Sequence, residues 1–178
     1  MKGITQVYTG NGKGKTTASL GLALRATGQG LRVCMIQFLK RNLKCGEHLF
    51  VEKTGAFKIL QFGTPPLPEG KIYVPVKRKS EEAKKAAYRA FSFAKEVIEG
   101  GNFDLVILDE INLAMDYGFI NVNEVVELIK NKPQNLELVL TGRCAPREVI
   151  EVAELVTEMV ELKHPYKGGL KARRGIEY

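Results

Sequence analysis

No tryptophan occurs in the chain, cysteine is limited to three positions and histidine to two. Cys34, Cys45 and Cys144 lie far apart and form no C-x-x-C pair, which excludes a disulfide framework and a thioredoxin-type motif. With His48 and His164 the only imidazoles, a structural zinc site is not expected. A reduced, cytoplasmic setting suits such a chain. No apolar run approaches the roughly 20 residues that span a bilayer, which excludes a transmembrane helix. The start, MKGITQVYTG, meets a glycine-rich turn before any secretory core could form, so export is not expected. Repeats and low-complexity tracts are absent. So is any Ser/His/Asp order or reactive-cysteine context that would mark a covalent nucleophile.

What remains is an ordinary globular composition. The 178 residues are 44% hydrophobic and 26% charged, with a mean hydropathy of −0.12. That is enough apolar side chain to close a core and too much for disorder. Lys and Arg number 27 against 20 Asp and Glu, a net charge of +7. Such an excess suits an anionic ligand and would also suit nucleic acid. The basic residues are mostly interleaved with acids, and the two clusters, VPVKRKSEEAKK and KHPYKGGLKARRG, also fit solvated surface.

Strand-like and helix-like segments alternate, which predicts a mostly parallel α/β sheet with helices on both faces. Ile4 to Thr9 reads as the first strand. Thr16 to Thr27 reads as a helix with Leu20, Ala23, Leu24 and Thr27 along one side and Gly28 as its stop. RVCMIQFL, residues 32–39, is the apolar run of a strand buried on both faces. A short helix at 47–54 and a strand at 57–62 follow. GTPPLPEGKIYVPVK, with four prolines and two glycines, then reads as a long loop. Ser80 before two glutamates caps a long helix that closes at Gly100-Gly101. FDLVIL is a buried strand ending at Asp109-Glu110, and Asn121 with Glu124 resembles a capping box. LELVL is a strand ending in Thr141-Gly142-Arg143, Pro146 suits the first turn of the next helix, and residues 156–162 read as the last strand. No composition shift divides the chain, so residues 1–178 read as one domain.

The strongest local signal is Thr9-Gly10-Asn11-Gly12-Lys13-Gly14-Lys15-Thr16-Thr17, set between the first strand and the first helix. That is the context of a phosphate-binding loop. Glycines let backbone N–H groups turn toward an anion, and the helix N-terminus adds donors and partial positive charge. Lys15 would neutralise phosphate oxygens, and the Thr16 hydroxyl would ligate Mg²⁺. The general pattern places glycine where Thr9 stands, so this loop is one residue shorter between its glycines. The carboxylates of Asp109-Glu110, delivered by a strand's C-terminal end, can hold the same Mg²⁺. Arg143 ends another strand at that edge and suits either a phosphate contact or a structural ion pair. Arg25 lies about two and a half turns into the first helix, where spacing alone does not assign it.

VYTGNGKGKTTASLGLALRATGQGLRVCMIQFLK, LVILDEINLAM, VLTGRCAPREVIEVAELVTEM and ELKHPYKGGLKARRGIEY together resemble the ATP:corrinoid adenosyltransferase family of the CobA/BtuR type. The resemblance runs in order over nearly the whole chain. It implies a RecA-like P-loop fold and transfer of the 5′-deoxyadenosyl group of ATP to the Co(I) of a reduced corrinoid, with release of triphosphate. It places Gly10 to Thr16 around the triphosphate and Lys15 on the leaving group. Thr16 and Glu110 are implied as Mg²⁺ ligands with Asp109 in support, Mn²⁺ being an alternative ion. Lys15 and Glu110 are thereby the residues expected to carry catalysis. Arg25 is implied as a nucleotide contact, and Asn11, Lys13, Thr17 and Arg143 complete the expected set. A homodimer and a reductase that supplies Co(I) are implied partners. Members tend to set aromatic residues, tryptophan among them, in the loop facing the corrinoid; here Phe62 and Tyr73 are the nearest substitutes. The competing reading is a RecA-like ATPase that binds nucleic acid, which the lack of a recognisable nucleic-acid module argues against.

Overall fold

The structure, a computed structural model, describes residues 2–40, 45–64 and 76–178. Strands β1 (Thr5–Thr9), β2 (Val33–Phe38), β3 (Lys58–Phe62), β4 (Leu105–Asp109), β5 (Glu137–Thr141) and β6 (Leu155–Glu158) form one sheet. Their spatial order is β3-β2-β4-β5-β1-β6, and every neighbouring pair is parallel. The strands alternate with α1 (Lys15–Gly28), α2 (Gly46–Thr54), α3 (Glu81–Glu99), α4 (Ile111–Asp116), α5 (Val122–Asn131) and α6 (Arg147–Val152). β1, which feeds the glycine loop, is separated by β5 from β4, which carries the acids. This is the mostly parallel α/β sheet with helices on both faces that the sequence predicts, with the glycine loop and the acids at the ends of non-adjacent strands.

Side-chain alternation assigns the two faces. Cys34, Ile36, Phe38, Val106 and Leu108 point toward one layer, where they meet Ala87, Ala90, Phe91 and Ala94 of α3 and Val125 and Ile129 of α5. Val33, Met35, Leu105 and Ile107 point the other way, toward Ala23 and Ala26 of α1. All six residues of β2 are buried, as a strand covered on both faces requires. The run of alanines on α3 brings that helix close to the sheet, and Phe91 fills the remaining space. Fully burying an aromatic of that size contributes about 1.5–3 kcal/mol.

Several local expectations need correcting. α1 turns Ser19, Ala23 and Ala26 inward, so Leu24 is 62% exposed. The helix also runs through Gly28 rather than stopping before it. By contrast, the Asn121 side chain caps α5 as expected, accepting from the N–H of Asn123, 2.8 Å away. Pro146 stands at the N-cap of α6, one residue before its first turn. β6 covers only Leu155–Glu158 and all of it is exposed, because it lies at the sheet edge and the chain leaves the ladder at Met159. Of the proline-rich loop, residues 65–75 lie outside the described residues, Tyr73 among them. Phe62 ends β3 with its ring 5.6 Å from that of Phe93.

Candidate active site

Parallel strands deliver their C-terminal ends to one edge of the sheet, and there the chain places Gly10–Thr16, Asp109, Glu110 and Thr141. The loop after β1 turns through Gly10 (φ 90°) and Gly14 (φ 128°), a region closed to most L-residues. Gly12 is held for a different reason. Its N–H donates to the Met159 carbonyl at 2.6 Å, and a Cβ there would stand 2.7 Å from that oxygen. The segment leaving β6 thus braces the loop from outside. Thr9 replaces the glycine of the general pattern, and its Oγ1 accepts from the Ala145 N–H at 3.2 Å. A glycine could not tie the loop to the β5–α6 connection in this way.

Lys15 opens α1 and is buried. Its Nζ donates to the carbonyls of Gly10 at 2.7 Å and Gly12 at 2.8 Å. Burial lowers the affinity of this amine for its proton and Arg143 adds to that effect, while Glu110 and Asp109 oppose it. The ammonium is therefore held within the loop, where backbone N–H groups and helix dipole favour an anion.

The next residue meets the acid. Thr16 Oγ1 donates to Asp109 Oδ1 at 2.8 Å, and Thr141 Oγ1 donates to the same oxygen at 2.7 Å. Gln37 Nε2 donates to Oδ2 at 3.2 Å, and Lys40 Nζ lies 3.6 Å from Oδ2. Asp109 is fully buried, so its charge depends on these partners from β2, β5 and α1. Burial works to lower the Lys40 pKa, but Asp109, Glu110 and Glu47 outweigh it and the pKa stands above its ordinary value. Glu110 follows in a left-handed turn (φ 66°) as the N-cap of α4. Its N–H donates to Thr141 Oγ1 at 3.1 Å. Burial, then the neighbouring Asp109, raises the Glu110 carboxyl pKa, while Lys40, Lys15 and Arg143 restrain the rise.

Among the expected residues, then, Gly10, Gly12, Gly14, Lys15, Thr16, Asp109 and Glu110 come together. The carboxylate against Thr16 is that of Asp109. Asn11, Lys13 and Thr17 are exposed on the loop and first turn, and Lys13 Nζ forms an ion pair with Glu177 at 2.9 Å. Arg143 is exposed beyond Gly142, near enough for its charge to act on Lys15 and Glu110. Arg25 is not brought to the loop. It is exposed on α1, ten residues and so about 15 Å along the axis from Lys15, and its charge acts on Tyr8. Gln37, Lys40 and Thr141 escaped the sequence reading, although a lone glutamine in the apolar run VCMIQF was a usable signal.

An all-oxygen set of a hydroxyl and two carboxylates is the chemistry that Mg²⁺ takes. The 2.8 Å between Thr16 Oγ1 and Asp109 Oδ1 brings two such donors side by side, so the residues fit the ion. Among the described residues no helix is long and apolar enough to cross a membrane.

Comparison with known proteins agrees with this geometry. The family model described as ATP:corrinoid adenosyltransferase BtuR/CobO/CobP matches residues 1–178. A corrinoid adenosyltransferase of a Sinorhizobium species is 42% identical over 99% of this chain and 81% of its own. One from Escherichia coli K12 is 34% identical over 99% of this chain and 86% of its own. Among solved structures, a KaiC-like protein of Pyrococcus horikoshii aligns with 92% of this chain and 75% of its own, at 14% identity and a TM-score of 0.49. The loop, the buried acid and the length of the match lead to one conclusion, that the chain belongs to the ATP:corrinoid adenosyltransferase family.

Proposed function

We propose that the protein transfers the 5′-deoxyadenosyl group of ATP to the Co(I) centre of a reduced corrinoid, in adenosylcobalamin biosynthesis or salvage. The observation that carries this reading is a phosphate loop joined through Thr16 to a buried carboxylate, in a chain that the adenosyltransferase family model matches from end to end. In this reaction the cobalt supplies the electron pair. A Co–C5′ bond forms, the C5′–O bond to the phosphate chain breaks, and triphosphate leaves with that oxygen and its electrons. The protein has to orient the 5′ carbon and stabilise charge gathering on the leaving group.

The loop N–H groups other than that of Gly12, with the start of α1, would bind the triphosphate. Lys15 would exchange its two carbonyl acceptors for phosphate oxygens. Thr16, Asp109 and Glu110 would hold Mg²⁺, or Mn²⁺ in its place, and such an ion neutralises phosphate charge when bound. Thr141, Gln37 and Lys40 fix Asp109 so that this carboxylate need not reorganise. Asn11, Lys13, Thr17 and Arg143 would touch the nucleotide from the open side, and Arg25 would do so only from the far end of α1. We assign residues 1–178 to one domain, the protein to the cytoplasm and the active species to a homodimer supplied with Co(I) by a reductase.

The nucleic-acid reading finds less support, because several basic side chains of its two clusters are paired within the chain. Arg78 lies on Asp116 at 2.6 Å, Lys167 on Glu161, and Arg173 on Glu177 at 3.1 Å. The deciding experiment is ³¹P NMR after anaerobic incubation with Mg-ATP and chemically reduced cobalamin. Corrinoid-dependent triphosphate is expected. ADP and phosphate, formed with or without corrinoid, would overturn the assignment.

A further inference from the structure

A second group of metal-ligating side chains lies near the same sheet edge and has no part in the function above. Cys45 is the N-cap of α2, with Glu47 and His48 in its first turn. A thiol sulfur, a carboxylate oxygen and an imidazole nitrogen from these residues all lie within 4.8 Å of one another. Ligands of a tetrahedral zinc ion stand about 3.3–3.8 Å apart, as bonds of about 2.0–2.3 Å require, so an inward shift of about an ångström closes the set. Cys45 is buried. Both ring nitrogens of His48 are buried with no hydrogen-bond partner among the described residues, an uncommon state for an imidazole that has no ligand to receive. Glu47 Oε1 lies 3.5 Å from Gln37 Nε2, and Gln37 also reaches Asp109.

We propose that Cys45, Glu47 and His48 bind a divalent transition metal of the zinc class, separate from the all-oxygen set at Thr16 and Asp109. One sulfur, one nitrogen and one oxygen donor select Zn²⁺ or Co²⁺ over Mg²⁺, and three protein ligands leave a fourth position open. Binding displaces the thiol proton of Cys45 to solvent as the S–metal bond forms. Among the described residues Lys40 is the charge that works against a dication here, and its contact with Asp109 partly neutralises it. Metal on Glu47 leaves the Gln37 amide N–H groups to Asp109, which links occupancy to the position of that carboxylate.

The test uses chelator-treated protein under anaerobic conditions, with neither nucleotide nor corrinoid, titrated with Co²⁺. A saturable thiolate-to-cobalt charge-transfer band is expected at about one equivalent, removed by Zn²⁺ and untouched by excess Mg²⁺. Cobalt on the oxygen set gives no such band. Cys45→Ser should abolish it, His48→Gln should weaken Co²⁺ binding at least about tenfold, and Cys144→Ser should leave it unchanged. Circular dichroism confirms that each variant is folded, and if Cys45→Ser is not, His48→Gln and Glu47→Gln decide. No band in the parent protein, a band that survives Cys45→Ser, or one lost with Cys144→Ser overturns the proposal.

Discussion

Removing the Lys15 ammonium takes away the one buried cation inside the phosphate loop, and with it the charge proposed to meet the leaving triphosphate. Lys15→Ala is expected to lower adenosyl transfer by about 10²–10³-fold, the usual cost of losing one aimed donor. Single-turnover formation of the Co–C bond checks this, and unchanged turnover removes Lys15 from its role. Thr16 separates two functions of one hydroxyl. Thr16→Ser keeps the oxygen on Asp109 and should retain most activity, whereas Thr16→Val leaves a buried carboxylate oxygen short of one donor. Thr16→Val is therefore expected to destabilise the fold by about 1–3 kcal/mol, read by urea unfolding, as well as to stop transfer. Lys15, Thr16 and Asp109 were legible in the sequence because a glycine loop between strand and helix, and an acid after an apolar run, are local patterns. Gln37, Lys40 and Thr141 were not, since they meet Asp109 only through the placement of β2 and β5 on either side of β4.

Among elements, the loop and the segment after β6 are built against each other. A Cβ on Gly12 meets the backbone of Met159 and Val160, at 2.7–2.9 Å, so no change of the methionine side chain can make room. Gly12→Ala is expected to cost about 1–3 kcal/mol, and trimming Met159 in the same protein should not restore stability; recovery would show that the side chain was the obstacle. At the opposite end of the strands, Asp104 receives the Arg32 N–H at 2.8 Å and its guanidinium at 3.0 and 3.1 Å, tying the start of β2 to the start of β4. These bonds hold the Asp104 carboxyl at about 2, below its ordinary 3.8. The stabilisation is full above about pH 4 and is lost as pH falls through about 2. Arg32 is exposed and Asp104 half-buried, so water screens the pair and Asp104→Asn should cost less than about 1 kcal/mol at pH 7, a deficit that disappears near pH 2. A deficit that persists there points to something other than the carboxylate charge. Hydrophobic pattern fixed most element positions but misplaced Leu24 of α1, which is exposed, while Ala23 faces the sheet with Leu20 packed beside it. It also missed α4, a single six-residue helix entered through the left-handed Glu110.

For the molecule as a whole, the unsettled surface is the edge at β6. That strand ends the sheet order, so its outer row of N–H and C=O groups has no partner strand among the described residues. Beside it Val160 is 66% exposed, Leu162 94% and Ile176 58%, an apolar strip that an isolated monomer has reason to cover. The tail that carries Ile176 engages Lys13 of the phosphate loop through Glu177, and Met159 next to Val160 braces Gly12 of that loop. Association through this edge would therefore bear directly on the nucleotide site. Sedimentation equilibrium is expected to give twice the 19.8 kDa chain mass. The double change Val160→Asp with Leu162→Asp should shift that mass to the monomer, because paired like charges would face each other across a two-fold contact. If the mass stays at the dimer value, the homodimer uses another face; if the parent protein is already monomeric, the strip serves something other than self-association.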